Sequence, residues 1–155
     1  MTMPLRIMLA DDDSDDRFFF DEAMKSAPMA VTLNTVDNGE KLLLYLNSHK
    51  ATLPDALFLD MNMPRKNGSE CLLEIKEDSL LKDLPVIMYS TSLHSEVADV
   101  LFTNGAHYYI KKGNSQEMQV VLDHVLTLIQ NNKFSRPNRE HFILNSKHLN
   151  PSPSR

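Results

Sequence analysis

The chain alternates between short apolar segments and longer amphipathic ones. Five mostly apolar segments have the length of strands: Leu5–Ala10, Val31–Val36, Ala56–Asp60, Val86–Tyr89 and His107–Ile110. Their nearly continuous apolarity is typical of strands that are covered on both faces in a parallel sheet. The segments between them show helical spacing of apolar residues, most clearly in the stripe from Met118 to Ile129. The pattern therefore predicts five strands that alternate with five helices.

This alternation predicts an open α/β sheet with right-handed crossovers, formed as one domain by residues 1–132. In such sheets, ligands bind beyond the carboxyl ends of the strands. The alternation ends after residue 132, and three prolines follow. We therefore predict that residues 133–155 are a basic, partly disordered C-terminal tail, in which only Arg139–Leu144 could form a helical turn or two.

Composition and charge narrow the class of protein. The 155 residues are 42% hydrophobic and 24% charged, as in an ordinary globular domain. The net charge of −5 is uneven: residues 1–132 hold 11 basic and 20 acidic residues (−9), and residues 133–155 hold five and one (+4). The acidic body argues against nucleic-acid binding. No apolar stretch could span a membrane or act as a signal peptide, and Cys71 can form no internal disulfide. We expect a cytoplasmic protein.

Polar residues stand at the ends of four predicted strands, where a parallel sheet would bring them to one edge. They are Asp11, Asp12 and Asp13 after the first strand with Asp15 and Asp16 following, Asp60 at the end of the third, Ser90 after the fourth, and Lys111 and Lys112 after the fifth. Clustered carboxylates repel one another and favour a hard cation such as Mg²⁺. A carboxylate can also attack a phosphoryl group, and a metal ion and a lysine can stabilise the charge that develops.

Four segments resemble the signatures of response-regulator receiver domains: IMLADDD at 7–13, LDMNMP at 59–64, PVIMYST at 85–91 and GAHYYIKK at 105–112. The resemblance covers residues 4–132, and Ser90 and Lys112 follow Asp60 by 30 and 52 positions, as in that family. The segment MPRKNG at 63–68 is similar to the small regulators that pair with bacterial phytochromes. The resemblance implies a flavodoxin-like, doubly wound, five-stranded parallel sheet of order 2-1-3-4-5 with five helices.

The resemblance also implies a phosphoacceptor site. Asp60 would accept a phosphoryl group from a phosphohistidine on a sensor histidine kinase or a phosphotransfer protein. Mg²⁺ would be held by Asp11, Asp12, Asp60 and the backbone carbonyl of Asn62. Such a protein is a switch in a phosphorelay rather than an enzyme, beyond metal-assisted phosphorylation and dephosphorylation of itself.

Three further residues match the switch of the family. Ser90 and Lys112 would contact the phosphoryl group, and Tyr109 would be the aromatic residue that moves inward with Ser90 on activation. Receivers commonly have proline after this lysine, whereas this chain has Gly113. A trans bond is expected there, since a cis bond without proline costs about 2.5–4 kcal/mol. The change makes Lys111 a rival for the role, although strand alternation and spacing favour Lys112.

No pattern of an output domain follows residue 132, so the sequence predicts that the chain signals through its own surface. The resemblance suggests the face formed by helix 4, strand 5 and helix 5. The partner there would be a downstream protein or a second copy of the chain.

Three alternatives remain at this point. A magnesium-dependent phosphatase of the haloacid-dehalogenase type would use Asp11 as the nucleophile, and would leave Asp60 without a role. A degenerate receiver would bind proteins without being phosphorylated. A flavodoxin-like electron carrier would share the architecture, but the aspartates from Asp11 to Asp16 would repel a flavin phosphate. Identifying which residue becomes phosphorylated, if any, would distinguish the first two alternatives from the predicted switch.

Overall fold

The computed structural model describes residues 3–149. The elements in this range are β1 (Leu5–Ala10), α1 (Ser14–Lys25), β2 (Val31–Val36), α2 (Gly39–Ser48), β3 (Ala56–Asp60), α3 (Gly68–Glu77), β4 (Val86–Ser90), α4 (Ser95–Thr103), β5 (Tyr108–Lys111), α5 (Ser115–Gln130), a 3-10 turn (Arg139–His141), β6 (Ile143–Leu144) and α6 (Ser146–Leu149). The five predicted strands are confirmed, each to within one residue at either end. No helix in this range combines the length and the hydropathy that crossing a bilayer requires.

The strands form one parallel sheet in the order β2-β1-β3-β4-β5-β6. Every residue of β3 and β4 is buried, which explains the continuous apolarity of these segments. The first five strands have the predicted order, so the flavodoxin-like, doubly wound fold is confirmed. The carboxyl ends of β1, β3, β4 and β5 lie at the same edge.

Two apolar cores cover the two faces of the sheet. Met88 of β4 packs with α2, α3 and α4, while the adjacent Ile87 packs with α1 and α5 on the other face. This alternation follows from the pleat of a strand, which sends successive side chains to opposite faces. Burying each large aliphatic side chain contributes about 1.5–3 kcal/mol.

Side-chain caps fix the start of four of the long helices. Asp13, Asn38 and Asn114 accept backbone N–H groups at the starts of α1, α2 and α5. Asn67 and Glu70 form a reciprocal capping box at the start of α3. Each such cap is worth about 1 kcal/mol. These helices begin at the carboxyl edge of the sheet, so their caps also hold the loops of that edge in place.

The sheet has a sixth strand where the sequence predicted a tail. Ile143 and Leu144 form β6 beside β5, and the N–H of Tyr109 donates to the carbonyl of Phe142 at 3.0 Å. The prediction of five strands is therefore wrong by one, and the helical turn expected at 139–144 is a 3-10 turn followed by β6. Two residues are too short a segment for an apolar pattern to identify. Residues 150–155 of the predicted tail lie outside the described residues.

Candidate functional site

Three aspartates meet where β1 and β3 end. Asp11 follows β1 and is fully buried, and Asp60 ends β3 and is 3% exposed. Asp12 is exposed to solvent beside them. Each of the three offers a carboxylate oxygen, and these oxygens all lie within 4.8 Å of one another. The topology thus brings together the aspartates that the sequence predicted as metal ligands.

Backbone groups orient the two buried carboxylates. Oδ1 of Asp11 accepts the N–H of Asp13 at 3.0 Å, and Oδ1 of Asp60 accepts the N–H of Asn62 at 3.4 Å. The loop after Asp60 then folds back closely over it. A Cβ atom on Gly68 would lie only 2.3 Å from the Asp60 carbonyl oxygen, so this position requires glycine.

Lys112 extends from the end of β5 into this cluster. Its Nζ lies 3.0 Å from Asp11 Oδ2 and 3.4 Å from Asp60 Oδ1, and its side chain is only 10% exposed. Lys111 is exposed to solvent. The structure therefore brings Lys112, and not Lys111, to the aspartates. The bond to Gly113 is trans, as expected, since residues 3–149 contain no cis peptide.

Burial and mutual repulsion perturb the ionisation of the cluster. Burial raises the pKa of Asp60 to about 7, the charge of Asp11 acts in the same direction, and Lys112 partly opposes both. Burial also disfavours the charged form of Lys112, but its bonds to the carboxylates outweigh burial and raise its pKa. Lys112 thus neutralises only part of the negative charge of the aspartate cluster.

The donor set fits a hard divalent cation. Oδ2 of Asp11 is buried and makes no hydrogen bond, although Lys112 lies within ion-pair distance of it. Asp12 and Asp60 add carboxylate oxygens, and Asp12 faces solvent, where water could complete the coordination. Oxygen ligands that leave positions for water suit Mg²⁺.

The two predicted switch residues lie on neighbouring strands. Ser90 ends β4, is 3% exposed, and its Oγ accepts the N–H of Ser92 at 3.4 Å. Tyr109 of β5 is 1% exposed and donates its hydroxyl to the Ser92 carbonyl at 3.0 Å. The tyrosine therefore occupies an inward position, linked to the loop that follows Ser90.

Sequence reasoning gave no role to two neighbours of Lys112, although it placed Asp16 among the aspartates at this edge. Asp16 Oδ2 lies 2.8 Å from Lys112 Nζ, the shortest of the three carboxylate distances, and the ring centroid of Tyr89 lies 4.8 Å from the same atom. Asp16 stands three residues after the Asp13 cap, in the first turn of α1. This helical position, next to a strand end rich in aspartate, was the available indication.

Comparison with known proteins identifies the family. Residues 7–123 match the response regulator receiver domain. The chain is 30% identical over 122 residues to the response regulator Rcp1 of Synechocystis, and the match covers 74% of this chain and 82% of Rcp1.

Solved structures agree with this match. The phosphorylated cyanobacterial phytochrome response regulator RcpA superposes with a TM-score of 0.77 at 27% identity, covering 84% of this chain and 96% of RcpA. RPA3017, a response regulator in red light signalling of R. palustris, gives 0.74 at 25% identity, covering 88% and 99%. The resemblance to phytochrome-associated regulators is confirmed. This chain belongs to the response regulator receiver domain family, whose members are signalling proteins of two-component systems rather than classical enzymes.

Proposed function

We propose that this chain is a phosphoacceptor switch of a two-component phosphorelay, with Asp60 as the residue that is phosphorylated. The phosphoryl group would come from a phosphohistidine on a sensor histidine kinase or a phosphotransfer protein. The observation that supports this most is the position of Asp60: it ends the central strand beside Asp11, Asp12 and Lys112. A buried nucleophile, a set of metal ligands and a cation thus stand together.

We further propose that the metal is Mg²⁺, held by Asp11, Asp12 and Asp60 with the backbone carbonyl of Asn62. The ion would neutralise negative charge on the phosphoryl group and on the aspartates. A Mn²⁺-bound form of the relative Rcp1 supports a divalent ion. The choice of Mg²⁺ rests on the all-oxygen donor set and on the solvent-facing Asp12.

The transfer uses the side chains of the site in simple roles. A carboxylate oxygen of Asp60 forms a bond to phosphorus while the bond from phosphorus to the histidine nitrogen breaks, and that nitrogen keeps the electron pair. The attacking carboxylate must be ionised, and Lys112 favours that form. Lys112 then pairs with a phosphoryl oxygen, and the Ser90 hydroxyl donates to another.

Phosphorylation would reach the surface through Ser90 and Tyr109. When Ser90 turns toward the phosphoryl group, the loop that contains Ser92 moves with it, and the Tyr109 hydroxyl loses or changes its partner. The output surface is the face of α4, β5 and α5, where a downstream protein or a second copy of the chain would bind. In this chain β6 lies on that face, so a partner meets β6 at the edge of the sheet.

Mapping of the phosphorylated residue tests the proposal. The protein is incubated with acetyl phosphate and Mg²⁺, and the modified residue is identified by mass spectrometry. We expect modification of the unsubstituted protein, complete loss in Asp60→Asn, and retention in the exposed control Asp15→Asn. Modification that survives Asp60→Asn and disappears in Asp11→Asn would support the phosphatase mechanism instead. No modification of any aspartate would support the degenerate, protein-binding receiver.

A further inference from the structure

The ammonium group of Lys112 competes with a metal ion for the same oxygens. It lies 3.0 Å from Asp11 and 3.4 Å from Asp60, two of the three carboxylates that would bind the ion. A cation at this position neutralises the ligands and so weakens their attraction for a second cation. The site therefore needs a means of keeping the lysine close while leaving these oxygens to the metal.

Asp16 supplies such a means. Its carboxylate is the nearest to Lys112, at 2.8 Å with hydrogen-bond geometry, and it lies outside the set of metal ligands. The first turn of α1 fixes it, because the Asp13 side chain accepts the N–H of Asp16 at 3.2 Å. The Tyr89 ring lies on the lysine as well, at 4.8 Å from its nitrogen. Lys112 thus has two contacts, with Asp16 and Tyr89, that do not involve the oxygens of the metal ligands.

We infer that Asp16 is a positioning residue that draws Lys112 toward α1 and away from Asp11 and Asp60, so that the metal and the lysine can occupy the site together. The inference rests on the proposed function, and it adds a residue that affects the binding of both the metal ion and the phosphoryl group. Asp16 favours metal binding, because it removes a competing cation. It also holds the lysine back from the phosphoryl group, because the lysine must either break its ion pair with Asp16 or contact Asp16 and the phosphoryl group at once.

The two effects have opposite signs in the variant Asp16→Asn. Without the charge of Asp16, Lys112 moves toward Asp11 and Asp60, and Mg²⁺ affinity falls by about threefold or more. At saturating Mg²⁺ the released lysine pairs more readily with a phosphoryl group. The affinity for beryllofluoride, an acyl-phosphate mimic, then rises by about twofold or more.

The experiment compares Asp16→Asn with Asp15→Asn. Both residues lie in the first turn of α1, so both variants lose one charge near the helix N-terminus, but Asp15 makes no ion pair with Lys112 among the described contacts. Mg²⁺ is titrated into each protein, and its binding is followed by the NMR shifts of the Asp12 and Asn62 amides. Beryllofluoride is then titrated at saturating Mg²⁺. Asp15→Asn should change each affinity by less than about twofold.

Each result has a defined meaning. Weaker Mg²⁺ binding together with tighter beryllofluoride binding in Asp16→Asn, and near-normal values in Asp16→Glu, support the inference. Unchanged Mg²⁺ affinity overturns it. Weaker binding of both Mg²⁺ and beryllofluoride also overturns it, because it would mean that Asp16 presents the lysine to the phosphoryl group. Failure of the unsubstituted protein to bind Mg²⁺ or beryllofluoride would instead overturn the proposed function, together with everything that depends on it. Thermal unfolding confirms that each variant is folded.

Discussion

The carboxyl end and the outer edge of β5 are held by different kinds of contact. At the carboxyl end, Lys112 is enclosed by the carboxylates of Asp11, Asp16 and Asp60. Along the outer edge the buried contacts are mainly apolar ones and backbone hydrogen bonds, with the fully buried Phe142 packed beside Tyr109. The two regions therefore contribute to stability in different ways. The charged end depends on which cation is present, whereas the apolar edge depends on how well a short segment packs.

The outer edge is reinforced by the segment 134–144. The guanidinium of Arg136 lies over the Phe102 ring at 4.3 Å and donates to the Ala106 carbonyl at 3.1 Å. The Phe142 ring contacts Phe102 with a centroid distance of 5.3 Å. These contacts attach the segment to α4 and β5, which were predicted to form the output face together with α5. Any movement of Tyr109 must therefore act on this segment too.

Removing the lysine should have the largest effect on stability. In metal-free buffer, Lys112→Ala leaves three neighbouring carboxylates, two of them buried, without their cation. Breaking a buried ion pair costs about 3–5 kcal/mol of unfolding free energy. Urea denaturation measures the loss, and Mg²⁺ should restore part of it. The exposed Lys111→Ala is the control and should cost less than about 0.5 kcal/mol. Equal effects of the two variants would contradict the charge-centred description of this end.

Truncation of Phe142 tests the apolar edge. Phe142→Ala removes a fully buried ring from the contact with Phe102 and should cost about 3 kcal/mol, with no dependence on Mg²⁺. Hydrogen exchange at the Tyr109 amide should also accelerate, because its acceptor is the Phe142 carbonyl. Phe18→Ala, at a ring that is 60% exposed, is the control and should cost about 0.5 kcal/mol or less. A loss for Phe142→Ala no larger than that of the control would show that the segment does not stabilise the sheet.

Acid should weaken the same edge through His107. Its ring stacks on Phe134 at 5.2 Å, and burial lowers its pKa from 6.5 to about 4, with Lys76 and Arg136 acting in the same direction. The folded state therefore favours the neutral imidazole. This contribution is fully present above pH 6.5 and is lost as the pH falls toward 4. We expect His107→Gln to reduce the loss of stability across this window by about 1–2 kcal/mol, as measured by urea denaturation at several pH values. If the unfolding free energy of His107→Gln depends on pH as it does in the unsubstituted protein, His107 is not the source of the acid sensitivity.

The smallest effect is expected at the surface of the segment. Arg139 Nε lies 2.7 Å from Asp99 Oδ1, but both side chains are substantially exposed. Arg139→Ala should therefore cost only about 0.5 kcal/mol, and less at high salt. Urea denaturation at low and at high salt measures this loss of unfolding free energy. A cost near that of Phe142→Ala would mean that charge, rather than packing, holds the segment in place.

The sequence was sufficient for most of the fold and for much of the site. Continuous apolarity identified β3 and β4, because strands covered on both faces need no polar positions. The sequence placed Asp11, Asp60 and Lys112 together because each stands at or just after the end of a strand, and parallel topology brings all such ends to one edge. For these residues, chain order and residue type contain the required information.

Tertiary structure alone decided the sixth strand and the pairing of Lys112 with Asp16. The two residues of β6 have no periodicity of their own, and they become a strand because β5 offers unpaired backbone groups and Phe142 finds a buried position beside Tyr109. The pair of Asp16 and Lys112 joins residues 96 positions apart. A local pattern determines what a residue can do, whereas the packing of distant elements determines which of several aspartates comes within 3 Å of one ammonium group.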